Sequence, residues 1–233
     1  MPVPPFLANF SRLIFPHNCA GCGSELHNNQ HLLCWKCLNE LPTTGFEKFP
    51  DNLTASIFTG RMPLQYAFSW LFYNKGSLAQ HLIHQIKYKK NLPLGRYMGQ
   101  LMGKTMVETG LYSQIDLLVP LPLNKRKLAS RGYNQAMLLC QGIADELQKP
   151  VVDVAVMRNK HTQTQTKKSR IERLANVEEV FDLQDAHLLE NKHALLVDDV
   201  ITTGATLEAC GLVLLKVPGL TLSLASLAAA SKI

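Results

Sequence analysis

Two adjacent carboxylates close an apolar run, and a short turn of small and hydroxyl-bearing residues follows: Leu195-Leu196-Val197-Asp198-Asp199-Val200-Ile201-Thr202-Thr203-Gly204-Ala205-Thr206-Leu207. The apolar residues predict a buried strand that carries Asp198 and Asp199 to the edge of a sheet. Two neighbouring acids repel each other unless something takes up their charge. The pair therefore suits vicinal hydroxyls or a metal ion. After the turn the pattern becomes helical. Backbone N–H groups at a helix start, together with the helix dipole, form a site for an anion. Thr202, Thr203 and Thr206 add hydroxyl donors, and Gly204 lets the backbone come close to a phosphate. A threonine-rich cap with exposed acids is the plainer reading. The full order of strand, two acids, small turn and helix exceeds what a cap requires.

A second chemical cluster lies near the N-terminus. Cys19 and Cys22 form one C-x2-C pair and Cys34 and Cys37 another, eleven residues apart. Two such pairs on tight turns suit a tetrahedral thiolate site for zinc, and four thiolates leave no open coordination position, so the site is structural. Disulfides or a redox dithiol are the alternatives. The expected cytoplasmic setting argues against the first, and the second needs only one pair. His17, His27 and His31 lie nearby; one could replace a thiolate, but surface histidines are the plainer reading. Cys140 and Cys210 fall singly in helical patterns, where a buried, inert thiol is expected. So short a segment has little apolar core. Metal binding would supply its stability, on the order of 10 kcal/mol in small zinc modules. On this reading metal loss unfolds residues 1–45 and spares the rest.

Basic residues gather in two places: Lys125, Arg126, Lys127 and Arg131, and a stretch from Arg158 through Lys160, Lys167, Lys168 and Arg170 to Arg173. Such clusters serve nucleic acid, small anions or simply a solvated face. The net charge of +6 is modest, so placement matters more than total.

The elements that must position these groups alternate. Residues 55–73 are apolar and ambiguous between strand and short helix. Gly76-Ser77 reads as a helix entry, with Leu78, Leu82, Ile83 and Ile86 at helical spacing and lysines at the end of the run. Helices are expected over 94–108, stopping at Gly110, over 134–148 and over 206–216. Strands are expected over 115–119, 151–157, 194–197 and 221–228, and a polar loop over 159–169. Strands alternating with helices imply a parallel sheet covered on both faces. In such sheets the ligand sits beyond the carboxyl ends of the strands. The 233 residues suffice for one domain and a small appendage. Asn9 and Arg12 interrupt the first apolar residues, and Lys216, Pro218 and Gly219 break the last apolar region. The expectation is therefore no signal peptide, no membrane insertion and a cytoplasmic protein.

The segment around Asp198 resembles the phosphoribosyl-pyrophosphate (PRPP) signature of type I phosphoribosyltransferases. The resemblance implies that Asp198 and Asp199 hold the ribose hydroxyls with magnesium nearby. It assigns Thr202, Thr203, Gly204, Ala205 and Thr206 to the 5′-phosphate. Purine enzymes of the hypoxanthine–guanine type have an aspartate base where this chain has Thr202, so the loop is closer to the orotate type. Further segments are Leu118-Val119-Pro120-Leu121-Pro122-Leu123, Arg131-Gly132-Tyr133-Asn134-Gln135, Lys168-Ser169-Arg170 and Arg173-Leu174-Ala175-Asn176. With Phe15-Pro16 and the four cysteines, they resemble the ComF/GntX family over nearly the whole chain. The implied architecture is α/β, a type I phosphoribosyltransferase fold with a small N-terminal zinc ribbon. The ribbon would occupy 1–45, a connector 43–51, and the transferase-like domain 55–233. Lys125, Arg126 and Arg131 become partners for pyrophosphate, since arginine grips phosphate oxygens in a fork. Asp198, Asp199 and Arg131 would carry the chemistry. The 158–173 stretch resembles the loop that closes over PRPP and excludes water.

The resemblance implies a role in DNA uptake (competence) or in use of DNA as a nutrient. Three mechanisms fit the residues. One is transfer from PRPP to a nucleobase- or nucleotide-related acceptor. Another is sensing of PRPP or a nucleotide without catalysis, since no acceptor base is identifiable. The third is an adaptor for single-stranded DNA or competence proteins. Lys36 is the only Lys or Arg between Cys19 and Cys37, and Trp35 could belong to a core. The acceptor and the oligomeric state, a homodimer included, are left open.

Overall fold

A computed structural model describes residues 17–26, 31–158 and 180–230. In chain order the helices and strands are α1 (Trp35–Asn39), α2 (Leu53–Phe58), β1 (Ala67–Tyr73), α3 (Leu78–Tyr88), α4 (Leu92–Thr109), β2 (Leu117–Pro120), α5 (Lys125–Arg131), α6 (Gln135–Leu147), β3 (Val156–Arg158), β4 (Phe181–Leu183), β5 (His193–Ile201), α7 (Ala205–Leu214) and β6 (Thr221–Ala230).

Four strands form one parallel sheet in the order β1-β6-β5-β2. Strand side chains alternate between faces, and β5 shows the consequence. Leu195 and Val197 join one buried cluster with Leu82 of α3, Met98 and Met102 of α4 and Leu139 of α6. Ala194 and Leu196 join the other, with Phe58 of α2 and Leu207 and Val213 of α7. The sheet is thus covered on both faces, as the alternating pattern predicts. Because the strands are parallel, Tyr73, Pro120, Ile201 and Ala230 all end on one edge.

Helix signals in the sequence locate the helices well. Ser77 caps α3 by accepting from Gln80 N at 3.2 Å, and Asn134 caps α6 by accepting from Ala136 N at 3.1 Å. Gly110 ends α4 with φ 69°. α4 and α6 pack so closely that a Cβ at Gly99 would collide with the Leu139 carbonyl, and one at Gly142 with the Arg96 carbonyl. The fork of Arg96 also grips Asp145, with Nε–Oδ2 and Nη2–Oδ1 both 2.7 Å.

Three expectations change. The ambiguous 55–73 region is a short helix, α2, followed by the edge strand β1. The strand expected over 151–157 is broken. Val151 bridges Leu118, with Val152 N donating to Leu118 O at 2.8 Å, and the chain then bends near Ala155. From there Val156–Arg158 leaves the main sheet to pair antiparallel with Phe181–Leu183. The expected connector 43–51 is folded onto β1. Thr43 bridges Leu71, Thr44 N donates to Trp70 O at 2.9 Å, and Phe46 meets Phe72 edge-on with ring centres 5.7 Å apart.

The cysteine segment shares the main core. Cys19, Leu33, Cys37 and Leu41 are buried in the same cluster as Leu71, Leu82, Ile86 and Met98. Gln85 of α3 donates its amide to the Ala20 carbonyl. The short segment thus gains the core it lacks by itself from α3 and β1, which argues against a ribbon that can unfold alone.

Candidate functional site

β5 runs through both acids to Ile201, so Asp198 and Asp199 sit within its last residues rather than beyond it. Their side chains are half-buried. The Asp199 N–H donates to Asp198 Oδ1 at 2.7 Å, and Lys87 of α3 donates to Asp199 Oδ1 at 2.9 Å. Burial, and then the neighbouring Asp199 charge, push the Asp198 carboxyl up to about 7, against the opposing pull of that N–H, Lys87 and Arg158. This is the cost expected for two adjacent acids without a cation or hydroxyls to share them.

Residues 202–204 then turn sharply into α7. Thr202, Thr203 and Ala205 are exposed, Thr206 is half-buried and Gly204 is buried. Gly204 has φ 74°, and a Cβ there would lie 2.9 Å from the Phe58 ring and 3.0 Å from Ile57 Cγ2. Both backbone and packing demand glycine. Arg61 holds the turn from below. Its Nη1 donates to Thr203 O at 3.0 Å and to Ile57 O at 3.1 Å, and its Nη2 pairs with Glu208 of α7. A turn presenting hydroxyls and N–H groups ahead of a helix has the chemistry to cradle an anion. Gly204→Ala is expected to move the turn and lower affinity for inorganic phosphate about tenfold or more. It should also destabilise the fold by about 1–3 kcal/mol. Isothermal titration and thermal melts of the variant check both effects.

The turn after β2 lies beside the acids. Pro120 registers with Val197, and Leu121 N donates to Val197 O at 2.8 Å. Asn134 Nδ2 closes this turn by donating to Leu121 O at 3.0 Å. α5 follows, a helix the sequence reading omitted. Asn124 caps it and Gly132, at φ 83°, ends it. Lys125 and Arg126 open α5 and are exposed. Arg131, in its last turn, is half-buried, with its guanidinium 5.5 Å from the centre of the Tyr88 ring. Of the expected basic loop, only Arg158 falls within the described residues. It lies 5.3 Å over the Phe181 ring, and the proposed closing loop otherwise lies outside them, as do Phe15-Pro16 and His27.

The four cysteine sulfurs converge, with ligand atoms all within 4.8 Å of one another and Cys22 Sγ to Cys34 Sγ 3.6 Å. Zn–S bonds of about 2.3 Å on a tetrahedron put sulfurs about 3.8 Å apart, so the set fits such an ion. Backbone N–H groups also point at these sulfurs: Cys34 N donates to Cys19 Sγ at 3.2 Å and Gly21 N to the same sulfur at 3.4 Å. His17 and His31 are engaged elsewhere. His17 Nε2 meets His31 O at 2.8 Å, and His31 Nδ1 meets Tyr97 OH at 3.4 Å. Cys140 and Cys210 are fully buried, and burial drives both thiols up. Trp35 is not core, being 78% exposed beside Lys36.

Sequence reasoning missed Lys87 and Arg61. The lysines ending the 78–88 run read as ordinary charges at a helix C-terminus. Lys87 meets Asp199 only through the tertiary placement of α3 against β5. Arg61 sat in a region whose secondary structure was ambiguous.

A four-stranded parallel sheet with two acids at a strand end and an anion turn beyond them defines a type I phosphoribosyltransferase fold. Residues 134–231 match the model of the phosphoribosyl transferase domain. The chain is 31% identical over 201 residues to competence protein F of Haemophilus influenzae, covering 83% of this chain and 76% of that protein. It is 28% identical over 202 residues to the DNA utilization protein YhgH of Escherichia coli, covering 85% and 78%. It is also 36% identical over 92 residues to the competence protein ComFC of Bacillus subtilis, covering 40% and 35%. The chain belongs to the ComF family. Among the described residues no helix is long and apolar enough to cross a membrane.

Proposed function

We propose that this protein binds magnesium PRPP at the Asp198–Asp199 strand end and acts as a phosphoribosyltransferase on a nucleobase- or nucleotide-related acceptor, in the cytoplasm, in the service of DNA uptake or DNA use. The observation that carries the reading is the continuous unit of half-buried acid pair and Gly204 turn, braced by Phe58 and Arg61. Thr202, Thr203, Gly204, Ala205 and Thr206 bind the 5′-phosphate through hydroxyls and N–H groups. Asp198 and Asp199 hold the ribose hydroxyls and the magnesium ion, which supplies positive charge to the diphosphate. Arg131, with Lys125 and Arg126 at the start of α5, stabilises charge building on the departing pyrophosphate. The acceptor's electron pair forms the new bond to C1 as the C–O bond to pyrophosphate breaks, and that oxygen keeps the pair. Zinc is the metal assigned to Cys19, Cys22, Cys34 and Cys37. The names of the relatives support the setting in DNA uptake and utilization. The test is a melt with millimolar magnesium PRPP, followed by a pyrophosphate-release assay with nucleobases and nucleotides. A melting shift with release is expected. The absence of any shift overturns the reading.

One observation favours a second reading, a DNA-handling adaptor that senses PRPP or a nucleotide. Trp35 stands exposed beside Lys36 on the cysteine module, and exposed aromatics next to cations are the means by which proteins stack single-stranded bases. A melting shift without pyrophosphate release, together with binding of single-stranded DNA that Trp35→Ala weakens, would select this reading.

A further inference from the structure

Three successive residues fasten the last turn of α3 to three other parts of the chain. Gln85 donates to the Ala20 carbonyl of the cysteine segment, the Tyr133 phenol donates to Ile86 O, and Lys87 Nζ donates to Asp199 Oδ1 at 2.9 Å. We infer that the Lys87 ammonium is the resident counter-ion of the acid pair: it holds the place of a divalent cation and keeps free metal off Asp198 and Asp199 until PRPP brings magnesium in. This rests on the PRPP reading above and adds to it a control on how the site is loaded.

Charge is the first argument. Two adjacent acids repel each other unless a cation sits with them, and Lys87 is a cation bonded to this pair. An ammonium is a compact point charge without a fork, so it occupies one carboxylate oxygen much as a metal ion does. The bond is sheltered, with side chains 20% and 17% exposed. On its inner side lies a void with no room for water, walled by Ile83, Ile86, Leu139 and Leu227. Apolar walls strengthen an ion pair. A free divalent ion must therefore displace the ammonium and then sit beside its charge. Magnesium also sheds water reluctantly and binds best through one or two carboxylates together with substrate phosphates. The diphosphate of PRPP supplies those oxygens, and its negative charge offsets the released ammonium.

Room to move is the second argument. On its outer side Lys87 lines an open cavity of about 420 Å³ with Gln80, His84 and Tyr88. Because α3 is fastened at Gln85 and Ile86, the exchange is a swing of the lysine side chain into that cavity, with the helix in place. Gln135 borders the inner void. It is 1% exposed, and its amide nitrogen has no acceptor in hydrogen-bond geometry. A buried donor left unused is costly. Here it offers Asp199 a neutral donor once the ammonium has gone.

The test titrates divalent manganese alone, as a probe for magnesium, into full-length protein loaded with zinc. Free manganese is read by electron paramagnetic resonance. Lys87→Met is expected to bind it about tenfold more tightly than the wild type, and adding Asp199→Asn should cancel the gain. Arg158→Gln removes a charge that also reaches Asp198 but leaves the Lys87 bond in place, so it should change the affinity by less than about threefold. Circular dichroism checks folding, and Lys87→Gln replaces a Lys87→Met that does not fold. The inference is overturned if removing the ammonium leaves manganese affinity unchanged, if the gain survives Asp199→Asn, or if Arg158→Gln matches it. It is equally overturned by a wild type that already holds manganese at micromolar concentration and loses it with Asp199→Asn. The parent reading fails separately, through a wild type whose melting temperature magnesium PRPP does not raise.

Discussion

Asp198→Asn with Asp199→Asn is expected to abolish the stabilisation that the proposed site predicts for PRPP and magnesium on the wild-type protein. At a hundredfold excess over the dissociation constant that stabilisation is about 2.7 kcal/mol. For a chain of this size it corresponds to a melting shift of about 5–11 °C. Without ligand the variant is as stable as the wild type or more so. Losing the Lys87–Asp199 pair costs about 1 kcal/mol at its partial exposure, with side chains 20% and 17% exposed. Removing two adjacent half-buried charges offsets that cost. The pH dependence follows from Asp198, whose carboxyl burial and the Asp199 charge raise from 3.8 to about 7. Between those values the folded chain holds a proton that the unfolded chain has released. Ligand-free stability therefore declines as pH rises through that window. PRPP binding is expected to run the other way and strengthen as pH rises through about 7, because the ionised pair is the form proposed to hold magnesium. Melts of both proteins across pH 5–8, with and without magnesium PRPP, check all of this. A variant that keeps the full ligand shift, or the wild-type pH slope, removes the acids from the site.

Much of the candidate site's local structure was legible because its signals are local. A strand, two acids, a small turn and a helix start follow one another within thirteen residues, and each step has its own propensity. The same holds for the two C-x2-C turns and for Asn134, Gly110 and Ser77 as helix ends. What stayed hidden depends on contacts distant in sequence. Lys87 and Asp199 are 112 residues apart, and Arg61 and Thr203 are 142 apart; no periodicity announces either pair. The expected strand over 151–157 shows the converse. Its alternating valines satisfy a strand pattern, yet the sheet offers a partner only to Val151. Beyond the bend, the partner of Val156–Arg158 is β4, on the far side of the basic stretch. The cysteine segment was read as independent because its own apolar residues are few. That scarcity instead reflects a core supplied by α3 and β1.

This shared core makes the metal site the second large effect. Cys34→Ser, or stripping metal with a chelator, is expected to destabilise the whole protein rather than release a separate ribbon. Cys19 and Cys37 are 3% exposed and pack in the cluster that contains Leu71, Leu82, Ile86 and Met98. A Cβ on Gly21 would approach Cys37 Sγ to 2.6 Å and Leu78 Cδ1 of α3 to 3.1 Å, so the first cysteine turn sits against α3 with little spare room. Structural zinc contributes roughly 10 kcal/mol in isolated modules. Here the surrounding packing retains part of the structure, so a loss of about 4 kcal/mol is expected, or a fall in melting temperature of about 8–16 °C. The ligand site should feel it too. Gln85, which holds the Ala20 carbonyl, and Lys87, which holds Asp199, are two residues apart on α3. Loosening the cysteine turns therefore loosens the helix that carries Lys87. Elemental analysis should find about one zinc per chain in the wild type and less in the variant. Calorimetry should then show a single lowered transition, and titration a weaker affinity for PRPP. Two separate transitions, the upper one at the wild-type temperature, would mean that the cysteine module unfolds on its own and that α3 does not couple the sites.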